Sequence, residues 1–294
     1  MKRTTGISWT KKTWNPVHGC SNMSEGCRNC YACLQTHQME WGGGIFGTPF
    51  AGMGLTHKEF DSNGRPRWTG NVVLSRSPRV LNYPLSLKTP SLIFGNSMYD
   101  LFHANMKVSW MRKILSVAAM ADWHYFQFLT KRSERMRELC ESGEIVLPRN
   151  VIMGVSVESD KHVGRLDDLR AVGAAKTYAS LEPLVAACPS IDLEGIDQAI
   201  LGGESGPNFR PMELRWVEEI LAKCRETGTA FYMKQDAHRS AGKQGRFVDR
   251  PDLWLHEWPK AEPGEDQFAS LIEGMQAEKV QAKKIATDAD EEAA

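Results

Sequence analysis

Tyr125-Phe126-Gln127-Phe128-Leu129-Thr130-Lys131-Arg132, followed by helical spacing over Ser133–Ser142 and then by Val151-Ile152-Met153-Gly154-Val155-Ser156-Val157-Glu158, reads as strand, helix, strand. Each apolar run is short and ends on polar or charged residues. A continuous apolar run marks a strand buried on both faces, and an intervening helix makes the next strand parallel to the first. The same unit recurs along the chain. Further strands are predicted at Val72–Leu74, Leu92–Gly95, Thr177–Leu181, Ala199–Leu201 and Ala230–Met233. Helices are predicted at Val108–Ala121, Lys161–Ala171 and Glu213–Thr227, the last stopped by Gly228. The fold class expected is α/β, a partial (β/α)6 TIM-like barrel with right-handed crossovers.

Polar residues follow most of these runs: Asn96-Ser97 and Asp100, Lys131, Ser156 and Glu158, Glu182, Gly202-Gly203-Glu204, and Lys234-Gln235-Asp236. In parallel β/α folds the carboxyl ends of the strands form the working face. The recurrence predicts a polar mouth there. Residues 41–71 interrupt the pattern. They are rich in glycine yet carry Trp41, Phe46, Phe50, Phe60 and Trp68, which predicts an ordered lid or insertion rather than a linker.

Four of seven cysteines lie within fourteen residues, at Cys20, Cys27, Cys30 and Cys33, spaced C-x6-C-x2-C-x2-C. Such density in a cytosolic chain points to metal more than to disulfides. Four thiolates would hold a structural zinc. Three would hold a [4Fe-4S] cluster with one iron left open, and the single compact loop favours that arrangement. Cys140, Cys188 and Cys224 are isolated and read as small hydrophobes.

The string Ser8-Trp9, Thr13-Trp14-Asn15-Pro16-Val17, Gly19-Cys20, Gly26-Cys27, Asn29-Cys30-Tyr31 resembles the phage Gp37/Gp68 family, which is similar to an outlying branch of the radical S-adenosylmethionine enzymes. The resemblance continues through Asn96-Ser97-Met98, Leu129-Thr130-Lys131-Arg132, Gly154-Val155-Ser156-Val157-Glu158, Ser180-Leu181-Glu182-Pro183-Leu184, Gly202-Gly203-Glu204-Ser205-Gly206 and Lys234-Gln235, over about residues 7 to 237. It implies that Cys20, Cys27 and Cys30 bind the cluster and that its open iron takes the amino and carboxylate groups of S-adenosylmethionine. Reductive cleavage would then give a 5′-deoxyadenosyl radical. Cys33 lies outside the family pattern and is assigned no ligand role. The resemblance also implies that Asn96, Ser156, Gly202, Gly203 and Glu204 bind the cofactor and that Glu158, Glu182 and Lys131 serve catalysis. The implied reaction is an isomerase-type modification of a phage DNA base or modified nucleotide, with a flavodoxin or ferredoxin as electron donor. A zinc-stapled, non-catalytic nucleic-acid-binding protein and an iron-sulfur electron-transfer partner are the alternatives.

The 294 residues carry 36 basic and 36 acidic side chains, and 41% of residues are hydrophobic, too many for a disordered chain. The balance hides a division. Residues 261–294 hold nine acids and three bases, a net −6, which leaves the first 260 residues at +6. Residues 1–260 are therefore expected to form the barrel domain, ending near Pro259. Residues 261–294 are expected to be a flexible acidic tail, helical in part over 267–285 or disordered. The basic body permits a phosphate-bearing partner such as DNA. No stretch approaches about 18 apolar residues and the start lacks a signal core, so a cytoplasmic protein without a membrane anchor is expected.

Overall fold

A computed structural model describes residues 6–42, 50–262 and 264–277. Nine strands are found among them: β1 (Lys12–Thr13), β2 (Val17–His18), β3 (Val73–Leu74), β4 (Leu92–Phe94), β5 (Tyr125–Thr130), β6 (Val151–Ser156), β7 (Lys176–Leu181), β8 (Gln198–Gly202) and β9 (Ala230–Gln235). The helices α1 (Tyr31–Trp41), α2 (Pro78–Leu81), α3 (Val108–Met120), α4 (Ser133–Glu141), α5 (Arg165–Ala171) and α6 (Leu214–Thr227) accompany them, with a further helical stretch at residues 266–277. β1 and β4 to β9 form one parallel sheet in chain order, curled into a half-barrel. The expected α/β architecture and its parallel sheet are therefore present.

The details differ from the sequence reading in two of the strands. Val72–Leu74 was expected to join the parallel series; β3 instead pairs antiparallel with β2 in a separate two-stranded ribbon. The first sheet strand is β1, whose two residues offer no apolar run to detect. In agreement with the predicted helices, none lies between β7 and β8. α6 ends as expected on Gly228, whose φ of +72° is the left-handed conformation that glycine adopts without steric cost.

Side chains alternate along each strand between two cores. Phe126, Phe128, Val151, Met153, Val155, Ala199 and Leu201 pack outward against Met111 and Ile114 of α3, Met136 of α4, Leu166 and Leu169 of α5, and Val217 and Ile220 of α6. The concave face carries Leu92, Phe94, Ile152, Tyr178, Ile200 and Tyr232, joined by Trp9 and Trp258. The Tyr178 ring occupies the space beside Gly154, where an added Cβ would lie 2.4 Å from it. Gly154→Ala is therefore expected to destabilise the protein by about 1–3 kcal/mol in urea titration.

The packed body extends beyond Pro259. Residues 266–277 are helical and bury Phe268, Leu271, Ile272 and Met275 against the concave core. Lys176, only 2% exposed, fastens this closure. Its Nζ donates to the Lys260 carbonyl at 3.0 Å and pairs with Glu265 Oε2 at 2.8 Å. The boundary expected near 260 thus falls inside the packed body, because every third or fourth residue of 266–277 is apolar. Residues 43–49 of the expected lid and 278–294 of the expected tail lie outside the described residues.

Candidate functional site

The concave face is apolar through its middle and polar at the carboxyl ends of its strands. A cavity of about 240 Å³ opens there. Asn96, Lys131, Ser156, Ser180, Glu182, Gly203, Glu204 and Lys234 line it from the sheet side. Cys20, Cys27, Cys30 and Tyr31 line the opposing loop, and Trp68 reaches it from the insertion.

The cysteine loop has no regular structure beyond the short turn Glu25–Cys27, so side chains must hold it. Glu158, fully buried at the end of β6, is its main anchor. It accepts a hydrogen bond from Ser24 Oγ at 2.6 Å, pairs with Arg165 at 2.9 Å, and pairs with Lys131. A Cβ on Gly26 would lie 2.6 Å from the Glu158 side chain, so only glycine lets the loop approach this closely. Burial raises the Glu158 pKa, but Lys131 and Arg165 outweigh it and hold the carboxyl below its usual range. Glu25 extends the anchorage: Ser159 Oγ donates to it at 2.7 Å, His162 Nε2 lies 3.0 Å away, and Arg210 donates to its carbonyl at 2.8 Å.

A carboxyl with a depressed folded pKa contributes stability above the unfolded value of about 4.3, lost as pH falls through the folded value. Glu158→Gln should lower stability at pH 7 by about 2–3 kcal/mol, since Lys131 and Arg165 lose their counter-ion in a partly solvated site. It should also flatten the acid limb of a plot of thermal midpoint against pH.

A second anchor holds Cys20. Arg132 pairs with Asp100 at 2.8 Å and donates to the Ser21 carbonyl and hydroxyl at 3.0 and 2.8 Å. Its Nη1 also lies 3.9 Å from Cys20 Sγ. His103 Nδ1 accepts from the Asn105 N–H at 3.1 Å, which leaves Nε2 to donate to Ser21 Oγ at 2.9 Å. Burial, reinforced by Arg132, holds the His103 pKa down to about 4, so the ring is neutral at pH 7.

Burial pushes the Cys20 thiol up to about 12 and also raises Cys30. Such thiols ionise only when a cation shares the site. Cys27 Sγ accepts the Met23 N–H at 3.4 Å. This N–H and the Arg132 charge suit thiolates, so the donor set fits a soft, thiolate-binding metal group. Cys33 does not line the cavity. It is buried with Ala32, Trp68 and Met98, with Cys20 and Cys30 packed against this cluster. Among the described residues, no three His, Cys, Asp or Glu side chains converge on a position for one metal ion.

The residues expected to serve catalysis or cofactor binding occupy different settings. Glu182 pairs with Lys234 at 2.5 Å and accepts Trp9 Nε1 at 3.1 Å, at the cavity wall. Lys131 also lines the wall, whereas Glu158 lies beneath the cysteine loop. Asn96 spends its side-chain amide on the Leu129 backbone, donating at 2.6 Å and accepting at 2.9 Å. Ser156 lines the cavity. Glu204 is held by Arg210 at 2.6 and 3.1 Å. Gly203 lines the cavity, and a Cβ there would meet the Ala237 nitrogen at 2.1 Å. A Cβ on Gly202 would lie 3.1 Å from Glu182 Oε1, and Gly202 is not among the residues lining the cavity. Trp9, Trp68, Arg165 and Arg210 were not singled out as site residues by sequence reasoning. Trp68 had a signal in the aromatic content of the insertion; the arginines had none, since their role depends on which carboxylate they meet.

The family model described as "Protein of unknown function (DUF5131)" matches residues 4–287. No curated protein and no solved structure matches the chain. No helix among the described residues is long and apolar enough to cross a membrane.

Proposed function

We propose that this chain, which belongs to the DUF5131 family, is a radical S-adenosylmethionine enzyme. The observation that carries the reading is the division of the cysteines. Cys20, Cys27 and Cys30 line a cavity at the carboxyl-end mouth of a parallel half-barrel, while Cys33, buried beside Ala32, Trp68 and Met98, is not among the residues that line it. Three thiols spread around a hollow suit a multi-iron group, whose own core spans the gap between ligands, better than one ion. Bound there, a [4Fe-4S] cluster with S-adenosylmethionine supplies reductive cleavage of the sulfonium bond and a radical able to abstract hydrogen.

The chain's own residues then have distinct tasks. Cys20, Cys27 and Cys30 hold the cluster, and Arg132 balances charge beside Cys20. Glu158, with Lys131 and Arg165, fixes the loop. Glu182 with Lys234, Glu204 with Arg210, and Ser156 offer the polar groups that bind the amino, carboxylate and ribose parts of the cofactor. Phe94, Leu129 and Trp68 keep water from the reacting carbon. The substrate class proposed is a DNA base or modified nucleotide, and the reaction class an isomerisation or similar radical modification. A duplex substrate would require the base to be flipped into the cavity.

Metal analysis after anaerobic reconstitution tests this directly. About four irons per chain are expected, with 5′-deoxyadenosine formed when S-adenosylmethionine and dithionite are added. One zinc per chain with no iron bound would overturn the proposal.

A further inference from the structure

Cys30-Tyr31-Ala32-Cys33 has a chemistry of its own beside metal binding. Cys30 is the capping residue of α1, with an extended backbone at φ −64° and ψ 115°, and Cys33 is the third residue of the helix. By the rise and radius of a helix, Cα atoms three positions apart lie about 5 Å from each other. That is inside the roughly 4.4–6.8 Å that a disulfide spans. A capping side chain also lies over the second and third residues of its helix, which directs the Cys30 thiol toward Cys33.

The neighbouring thiols are engaged elsewhere. Cys20 and Cys30 both pack against the cluster that buries Cys33. Cys20 Sγ, however, donates to the Ser21 carbonyl at 3.5 Å and lies beside Arg132. Cys27 Sγ accepts the Met23 N–H and lies 3.9 Å from Ser24 Oγ. Cys30 makes no capping hydrogen bond through its side chain. All four are free thiols in this structure.

Cys30 and Cys33 differ in access. Cys30 lines the cavity. α1 buries Cys33, Thr36, His37 and Glu40 and exposes Leu34 and Met39, and Cys33 is only 4% exposed. A reachable thiol backed by a shielded one is the arrangement of a sulfur that is attacked and a sulfur that resolves.

We propose that Cys30 and Cys33 are a reversible dithiol–disulfide site, oxidised by a small-molecule disulfide when the loop holds no metal group. Its consequence, that oxidation withholds Cys30 from metal, rests on the reading of the cysteine loop as a cluster site. The Cys30 thiolate attacks the small disulfide, one thiol leaves, and Cys30 is left in a mixed disulfide. Cys33 then attacks Cys30 Sγ and expels the second thiol. Two electrons and two protons pass from the cysteines to the small disulfide, which departs as two thiols. One S–S bond breaks and one forms.

The test treats the full metal-free chain with glutathione disulfide, blocks the remaining thiols with iodoacetamide and cuts with trypsin. Cleavage after Arg28 and Lys58 releases residues 29–58, whose cysteines are Cys30 and Cys33, while Cys20 and Cys27 leave together in residues 13–28. Fragment 29–58 is expected two hydrogens lighter than its reduced form and free of the blocking group. In Cys33→Ala the same fragment should carry glutathione on Cys30, the mixed disulfide without its resolving thiol. Oxidised native protein should take up at least about tenfold less iron than reduced protein on anaerobic reconstitution, and dithiothreitol should restore the uptake. Fragment 29–58 blocked at both cysteines at every disulfide concentration overturns the proposal. So does a disulfide joining it to fragment 13–28, or full iron uptake by the oxidised chain. Uptake of zinc and no iron by the reduced chain would instead overturn the cluster reading, and the fragment masses would still decide the disulfide.

Discussion

Cys30→Ala is expected to abolish iron retention and 5′-deoxyadenosine formation, whereas Cys33→Ala keeps both. The two residues are three apart in one segment, so the contrast isolates geometry from composition. Cys30 lines the cavity and precedes the first turn of α1. Cys33, one turn further, is packed with Trp68 and Met98. Perturbing a group behind a metal ligand typically costs 10–100-fold in affinity, so loss of a ligand itself should exceed about 100-fold. Cys33→Ala removes a small buried side chain and should cost about 1 kcal/mol in stability while leaving roughly four irons per chain. Iron and sulfide content with the low-temperature EPR spectrum of the reduced protein provide the measurement. If Cys33→Ala lost the metal as fully as Cys30→Ala, a four-cysteine site would replace the three-cysteine one.

Phe268→Ala should lower the unfolding free energy by about 3–5 kcal/mol, the range for truncating a buried phenylalanine. Phe268 is 1% exposed, its ring packs edge-on to Tyr125 at 4.9 Å, and Lys176 Nζ lies over it at 5.1 Å. A half-barrel exposes its concave face unless something covers it, and helix 266–277 supplies that cover opposite the cysteine mouth. Truncation leaves a void lined by Tyr125 and the Lys176 stem. The buried ammonium would then face a cavity rather than an aromatic ring. The cost should appear as a fall in melting temperature of the order of 10 °C, with the same native circular dichroism at 20 °C. A change under about 1 kcal/mol would show the helix to be a surface appendage.

Much of the barrel was legible because its signal is local. β5, β6 and β9 coincide with apolar runs that end on charges, and α3, α4 and α6 with helical spacing. The mouth was legible for the same reason: a polar residue following a buried strand lies at the strand's carboxyl end. α1 was not legible. Its polar residues are buried and its apolar residues exposed, so periodicity carried no sign of which face meets the core. Nor was the closing helix legible as part of the body. Acidic composition marked residues 261–277 as tail, while Phe268, Leu271, Ile272 and Met275 pack as core.

The chain's order of residues determined the parallel α/β architecture, the position of its working face and the cluster of cysteines before it, since each depends on neighbours a few residues apart. Tertiary structure decided the rest: that Cys20, Cys27 and Cys30 line the cavity while Cys33 is buried beside them, that Glu158 anchors a loop rather than lining the cavity, and that Arg132 serves Cys20. Those roles rest on contacts between residues far apart in the chain, up to 134 positions for Ser24 and Glu158. Burial and charge pairing act through space, and no local pattern encodes which distant partner each side chain meets.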